Sequence, residues 1–158
     1  MPEALEVIIG QLLTAQHRTL ATAESCTGGL VGHRLTEVPG SSEYFRGGII
    51  AYSNEIKERV LGVSHATLES HGAVSAETAI EMARGARRVL QPDIAVSVTG
   101  IAGPGGGTAD KPIGLTYIAV AATDYERVER FVWNSDRSGN KQSSSEAALH
   151  MVIAYLVV

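Results

Sequence analysis

Cysteine is almost absent from this chain: there is one, Cys26, in 158 residues. No intrachain disulfide can form, so packing must hold the fold, and a reducing, cytoplasmic setting is the simplest expectation. Aromatic residues reach only 5%, too few for the stacking platforms by which proteins hold single-stranded nucleic acid. Positive charge is scarce as well. Thirteen Lys and Arg face 17 Asp and Glu, for a formal charge of −4. No basic block stands out, which argues against a nucleic-acid backbone as partner. A small anion needs only a local cation and stays open. No apolar run approaches the ~20 residues of a membrane helix. The first residues show no basic stretch leading into an apolar core, so no signal peptide is expected. Of His17, His33, His65, His71 and His150, no two are four apart, and no zinc site is expected.

What is present is a large apolar fraction, 44%, enough for one domain over residues 1–158 with a full core. Leu5, Ile8, Ile9, Leu12 and Leu13 recur at helical spacing and predict a helix over about 3–16. Residues 18–23 read as a buried strand and 28–36 as a helix closed by Pro39-Gly40. A strand over 47–52 follows, then a short helix capped by Ser53 or Asn54 and running to about Leu61. Ser75 caps the next helix, which Pro92 stops. Residues 94–98, 115–122 and 128–133 read as strands, the last two joined at Asp124-Tyr125. Ser143-x-x-Glu146 has the pattern of a capping box opening the last helix, which runs nearly to Val158. Strand–helix alternation early and a hairpin late predict a three-layer α/β/α sandwich around a mixed, mostly five-stranded sheet.

Three segments carry chemistry. Thr22-Ala23-Glu24-Ser25-Cys26-Thr27-Gly28-Gly29 puts a serine where a strand yields to a helix, beside N–H groups that lack intrahelical partners. Ser25 is either a helix cap or a nucleophile with oxyanion donors at hand. Cys26 is the rival nucleophile, because a helix N-terminus favours a thiolate; its bland reading is a small core residue. No histidine stands in a recognisable triad, so the base for Ser25 must be another group. Lys57 can serve if burial lowers its pKa; otherwise it is a surface lysine. Tyr52 stands between them in sequence and can bridge serine and amine. The loop Thr99-Gly100-Ile101-Ala102-Gly103-Pro104-Gly105-Gly106-Gly107-Thr108 lacks the Lys-Ser/Thr of a P-loop. It is either a flexible connection or a backbone cradle for phosphate or carboxamide, assisted by Thr99, Thr108 or Lys111. Arg137 either pairs with Asp136 or reaches a phosphate bidentately. Ser42 is a turn residue unless its loop folds toward the site.

Together these segments resemble the CinA carboxy-terminal domain family, the nicotinamide mononucleotide deamidases. The resemblance rests on the octet at 22–29, Tyr52-Ser53-Asn54-x-x-Lys57, Gly72-Ala73-Val74-Ser75, Thr99-Gly100-Ile101-Ala102-Gly103-Pro104 and Lys111-Pro112-x-Gly114, in family order over essentially the whole chain. It reads as that domain alone, without the molybdopterin-binding-like domain of longer relatives. The resemblance implies hydrolysis of the carboxamide of nicotinamide mononucleotide to nicotinic acid mononucleotide and ammonia, with no metal or organic cofactor. It implies a serine–lysine mechanism through Ser25 and Lys57, with Tyr52 beside them. Glu24, Thr27, Gly28, Gly29, Ser42, Thr99, Gly100, Gly103 and Arg137 are its expected substrate-binding residues. The partner is a pyridine mononucleotide, with neither nucleic acid nor membrane, and a homodimer or higher homo-oligomer is expected. One departure is Lys141, where the family usually carries a second arginine: charge is kept and bidentate geometry lost. That departure favours the rival reading, a catalytically silent nucleotide-binding module.

Overall fold

The computed structural model describes residues 2–158. In chain order the elements are α1 (Leu5–Gln16), β1 (Leu20–Glu24), α2 (Leu30–Thr36), a single 3₁₀ turn (Ser41–Glu43), β2 (Phe45–Ile50), α3 (Asn54–Arg59) and α4 (His65–His71). Then follow α5 (Ala76–Leu90), β3 (Ile94–Gly100), β4 (Leu115–Ala122), β5 (Tyr125–Val132) and α6 (Arg137–Leu156). One five-stranded sheet has the order β2-β1-β3-β4-β5. Its β2-β1-β3 half is parallel and its β3-β4-β5 half antiparallel. The sheet is therefore mixed, as the strand and helix pattern predicts.

Helices cover both faces. On one, α1, α2 and α6 pack over Leu20, Val96, Val98, Ile118 and Val120. Arg34 of α2 joins that layer, pairing with Glu6 of α1 at 2.8 Å and Glu146 of α6 at 3.1 Å. On the other face, Met82 and Ala86 of α5 meet Ala23, Ala51 and Ala95, with Leu61 and Val63 filling the rim. The small side chains let α5 lie close: a Cβ on Gly85 would run into the Leu61 carbonyl. The strands β1 and β3, buried along nearly their whole length, read as continuous apolar runs because both faces are covered.

The connections fix where a ligand can sit. From β1 the chain crosses by α2 to β2 on one side; from β3 it continues by a hairpin to β4 on the other. Connections leave β1 and β3 in opposite directions, so a crevice opens at their carboxyl ends, where open α/β sheets bind ligands. Ser25 and Gly100 stand there.

The structure differs from the sequence reading at three places. The last helix opens at Arg137, where the Asp136 side chain accepts from the Gly139 N–H at 2.8 Å. Ser143-x-x-Glu146 lies inside it, since a cap earlier in the chain takes precedence over a later capping pattern. The fifth strand begins at Tyr125 rather than Val128; the charges of its first half mask an edge strand. Finally, α4 (His65–His71) forms where the sequence reading has no helix. It is a two-turn helix capped by Ser64, which accepts from the Thr67 N–H at 3.3 Å, and it buries none of its residues fully.

Gly85→Ala forces α5 off the Leu61 backbone. It should lower unfolding stability by about 1–3 kcal/mol, read from the urea midpoint, with the far-UV spectrum unchanged.

Candidate active site

Ser25 follows β1 directly, and its N–H still donates to the Val98 carbonyl of β3 at 2.9 Å. Its hydroxyl is thereby held at the sheet edge. Behind it the chain turns sharply. Gly28 and Gly29 have φ of +61° and +106°, which side-chain-bearing residues rarely adopt. Glu24 holds this turn from beneath. Its buried carboxylate accepts from the Thr27 hydroxyl at 2.6 Å and from the N–H groups of Gly29, Val31 and Gly32 at 3.2, 2.9 and 3.0 Å. Those contacts correct two expectations. Glu24 and Thr27 are occupied with each other and with the start of α2, not with a ligand. The N–H groups opening that helix are taken too, Gly28 by the Ser25 carbonyl and Leu30 by the Thr27 carbonyl. From Ser25 to Gly32, only the N–H groups of Cys26 and Thr27 carry no acceptor.

Lys57 arrives from α3. Ser53 caps that short helix, accepting from the Ile56 N–H at 3.2 Å, and sets the amine back toward β1. The side chain is 1% exposed. Its Nζ lies 3.0 Å from Ser25 Oγ and donates to the Tyr52 carbonyl at 3.1 Å. No carboxylate pairs with it among the described residues. Burial disfavours the ammonium and lowers its pKa from 10.5; a weaker influence from Cys26 opposes this. A neutral amine can accept the Ser25 proton while still donating to Tyr52. The Cys26 thiol moves the other way. Burial pushes it up to about 12, so it is a protonated thiol near neutral pH and a poor nucleophile.

Tyr52 contributes differently from expectation. Its backbone carbonyl holds the amine, whereas its ring is 62% exposed and its hydroxyl accepts from Arg137 at 3.2 Å. The phenol does not bridge serine and lysine. Arg137, the first residue of α6, also donates to the Gly103 carbonyl at 2.8 Å; its side chain does not pair with Asp136, whose carboxylate caps the helix.

Ser25, Cys26, Lys57, Asn54, Thr99 and Gly100 line a cavity of about 190 Å³. Arg137 and Ala102 form a wall shared with a wider cleft of about 630 Å³, lined also by Gly103, Pro104, Ser138 and Lys141. The Lys141 amine has no carboxylate partner among the described residues, and a Cβ on Gly28 would stand 3.8 Å from it. Thr99 is a wall residue whose hydroxyl donates to the Ala73 carbonyl at 2.7 Å. Gly100 must be small, since a Cβ there would crowd Thr116 Oγ1 and Cys26 Sγ. Gly105 to Gly107, Thr108 and Lys111 line neither cavity. Lys111 instead ties the glycine loop to the His71 carbonyl.

Ser42 lies elsewhere. It is exposed in the turn before β2, and Phe45 pairs with Leu20 at the start of β1, so Ser42 sits at the sheet edge opposite Ser25. Conversely, Asn140 has a role at the site that no motif marks. Buried in α6, it donates to the Ala102 carbonyl at 2.9 Å and accepts from the Ser135 N–H at 3.0 Å. It joins the loop that carries Gly103 to the segment just before α6. A polar residue within a helical run gives no signal of such a role.

Fold and site together define a three-layer α/β protein with a buried serine–lysine pair at its sheet edge. The profile of the CinA C-terminal domain matches residues 2–156. A CinA-like protein of Chlorobaculum tepidum is 52% identical over 157 residues, 96% of this chain and 37% of that protein. The competence/damage inducible protein CihA of Agrobacterium tumefaciens superposes with a TM-score of 0.93 at 39% identity, covering 100% of this chain and 98% of that one. The competence damage-inducible protein A of Klebsiella pneumoniae does so at 0.94 and 31%, covering 97% and 95%. This chain belongs to the CinA C-terminal domain family. It spans about a third of the length of the curated relatives it matches.

Two substitutions probe this machinery. Glu24→Ala strands three N–H groups at the start of α2 and should cost about 2–3 kcal/mol of stability, measured by urea unfolding, with Glu24→Gln between it and wild type. Lys57→Met removes a buried amine. Between its lowered native pKa and 10.5 the unfolded chain binds the extra proton, so Lys57 makes stability rise with pH across that window and weakens the fold below it. The variant should therefore melt higher at neutral pH, and its advantage should shrink as pH approaches 10.5; a lower melting temperature throughout would contradict this.

Proposed function

We propose that the chain is an amidohydrolase acting on nicotinamide mononucleotide, releasing ammonia and nicotinic acid mononucleotide. The observation that carries this reading is the Ser25–Lys57 contact: a hydroxyl 3.0 Å from a buried amine that has no counter-ion among the described residues, in the wall of a cavity that opens toward two cations. Membership of the CinA family is compatible with a hydrolase. Lys57, neutral, takes the proton of Ser25 as Oγ attacks the carboxamide carbon. The oxygen that becomes negative is met by the N–H groups of Cys26 and Thr27, which have no other acceptor; such donors contribute about 3–4 kcal/mol to the rate. The Lys57 ammonium returns its proton to the departing nitrogen, the carbon–nitrogen bond breaks, and ammonia leaves. Water then attacks the acyl-enzyme with Lys57 again as base, and the acid is released with Ser25 restored.

The nucleotide phosphate is assigned to the wider cleft. Arg137 bonds only neutral oxygens there, and Lys141 is one turn further along the same helix. Either cation can turn to an anion without breaking an ion pair. Lys141 also supports the rival reading, a nucleotide-binding module without turnover, because an ammonium holds a phosphate less rigidly than a guanidinium.

The test is ammonia release from nicotinamide mononucleotide by the wild type and Ser25→Ala. Turnover should be present in the first and fall at least a thousandfold in the second, with unchanged melting. Wild-type activity should decline toward acid as Lys57 protonates, with an apparent pKa below 10.5. Equal turnover in both proteins would reject Ser25 as nucleophile. Silence in both, with clear thermal stabilisation by the nucleotide, would establish the binding module instead.

A further inference from the structure

Two motifs of the sequence, Gly72-Ala73-Val74-Ser75 and Lys111-Pro112-x-Gly114, have no part in the Ser25–Lys57 chemistry. The fold brings them into contact. The Lys111 amine donates to the carbonyl of His71, the last residue of α4. Gly72 follows with φ of +80°, and a Cβ there would stand 2.7 Å from Lys111 Nζ. The glycine therefore keeps the carbonyl open to the amine. Lys111 has no carboxylate partner among the described residues. Its charge is directed at the C-terminal end of a helix, where carbonyls without intrahelical donors favour a cation.

The contact anchors a loop that walls the wider cleft through Gly103, Pro104 and Ile113. Among the described residues, the stretch 102–111 forms hydrogen bonds with the rest of the molecule at three places. Asn140 and Arg137 of α6 donate to the carbonyls of Ala102 and Gly103, and Lys111 reaches α4. Between these anchors Gly105, Gly106 and Gly107 are exposed, and a glycine backbone has little stiffness of its own. The far end moves as a unit with Lys111. Thr108 Oγ1 accepts from the Lys111 N–H at 3.0 Å, and the Thr108 N–H donates to the Lys111 carbonyl at 2.8 Å. The loop is thus a bridge from α6 to α4, and Lys111 is its anchor on the α4 side. Without that anchor the Gly103 carbonyl no longer has a fixed place, nor does the Arg137 guanidinium that bonds it. The opposite wall is secured independently. The Gly72 carbonyl accepts from Ser75 and Thr78 at 3.0 and 2.7 Å, and Ala73 accepts from Thr99.

We infer that Lys111 is a positioning residue for the nucleotide: it latches the glycine loop to α4 and so sets the cleft in which Arg137 meets the phosphate. It lines neither cavity and acts through the loop. The role rests on the assignment of the nucleotide to that cleft, and not on turnover. Ser25 and Lys57 are held by β1 and α3 without the loop, so binding should depend on Lys111 and the chemical step should not.

Lys111→Met keeps the apolar stem and removes the donor, whereas Lys111→Arg keeps donor and charge. Calorimetry in a Ser25→Ala background gives the Kd of nicotinamide mononucleotide without consuming it, and ammonia release with Ser25 intact gives KM and kcat. Lys111→Met should raise Kd and KM about tenfold and leave kcat within about twofold; Lys111→Arg should restore both. The loss should persist at about 0.5 M salt, where long-range attraction between charges is screened. Cooperative thermal unfolding of each variant confirms that it is folded. An unchanged Kd in Lys111→Met overturns the assignment even if the melting temperature falls, because a helix cap alone would do that. A loss that vanishes at high salt, or a fall in kcat with KM unchanged, overturns it as well, and in each of these cases the amide reading stands. A wild type that neither binds nor turns over the nucleotide overturns both.

Discussion

An uncompensated amine in the interior is the constraint around which the rest is arranged. Burying an ammonium is costly, and proteins ordinarily pair it or let it lose its proton. Lys57 has no carboxylate partner among the described residues, so the low-polarity surroundings favour the neutral form. That demand shapes its neighbours. The Tyr52 carbonyl must stay at the end of β2 to accept a hydrogen bond, and the Ser53 cap must start α3 at once, so the side chain turns inward. The sheet must place Ser25 within reach. The Ser25 hydroxyl then lies beside an amine whose charged form burial disfavours.

The buried carboxylate, Glu24, is treated in the opposite way. Its carboxylate is met by four donors, three of them backbone N–H groups at the opening of α2. Such partnering satisfies donors that a helix start otherwise leaves bare. It also decides what the turn can do for a ligand, because only two N–H groups beside Ser25 remain free. One buried residue is left wanting and the next is fully satisfied. The first is suited to moving a proton, the second to keeping a backbone still.

The two halves of the sheet divide the remaining work. In the parallel half, strand ends and helix starts converge on one edge, and the reversal between β1 and β3 opens the crevice. In the antiparallel half, β4 and β5 support α6, whose first turn brings Arg137 and Lys141 to the same crevice from the far side. Asn140 ties that turn to the loop after β3. The cations are therefore positioned by a helix that shares no local sequence with the serine or the lysine.

Local order fixed what the chain could announce by itself. Buried strands such as 20–24 and 94–100 read as apolar runs because both faces are covered. Ser53, Ser75 and the paired glycines at 28–29 marked helix starts and a turn, since these residues act through their own backbone. Ser25, Lys57 and Arg137 stood out through their motifs as candidates for chemistry. Tertiary structure decided everything that depends on what lies across space. It gave Glu24 to the helix start rather than the ligand, put Tyr52 to use through its carbonyl, and left Ser42 at the wrong end of the sheet. It also made Lys57 a buried amine instead of one more surface lysine. Burial and direction are properties of the packed layers, and no spacing along the chain encodes them.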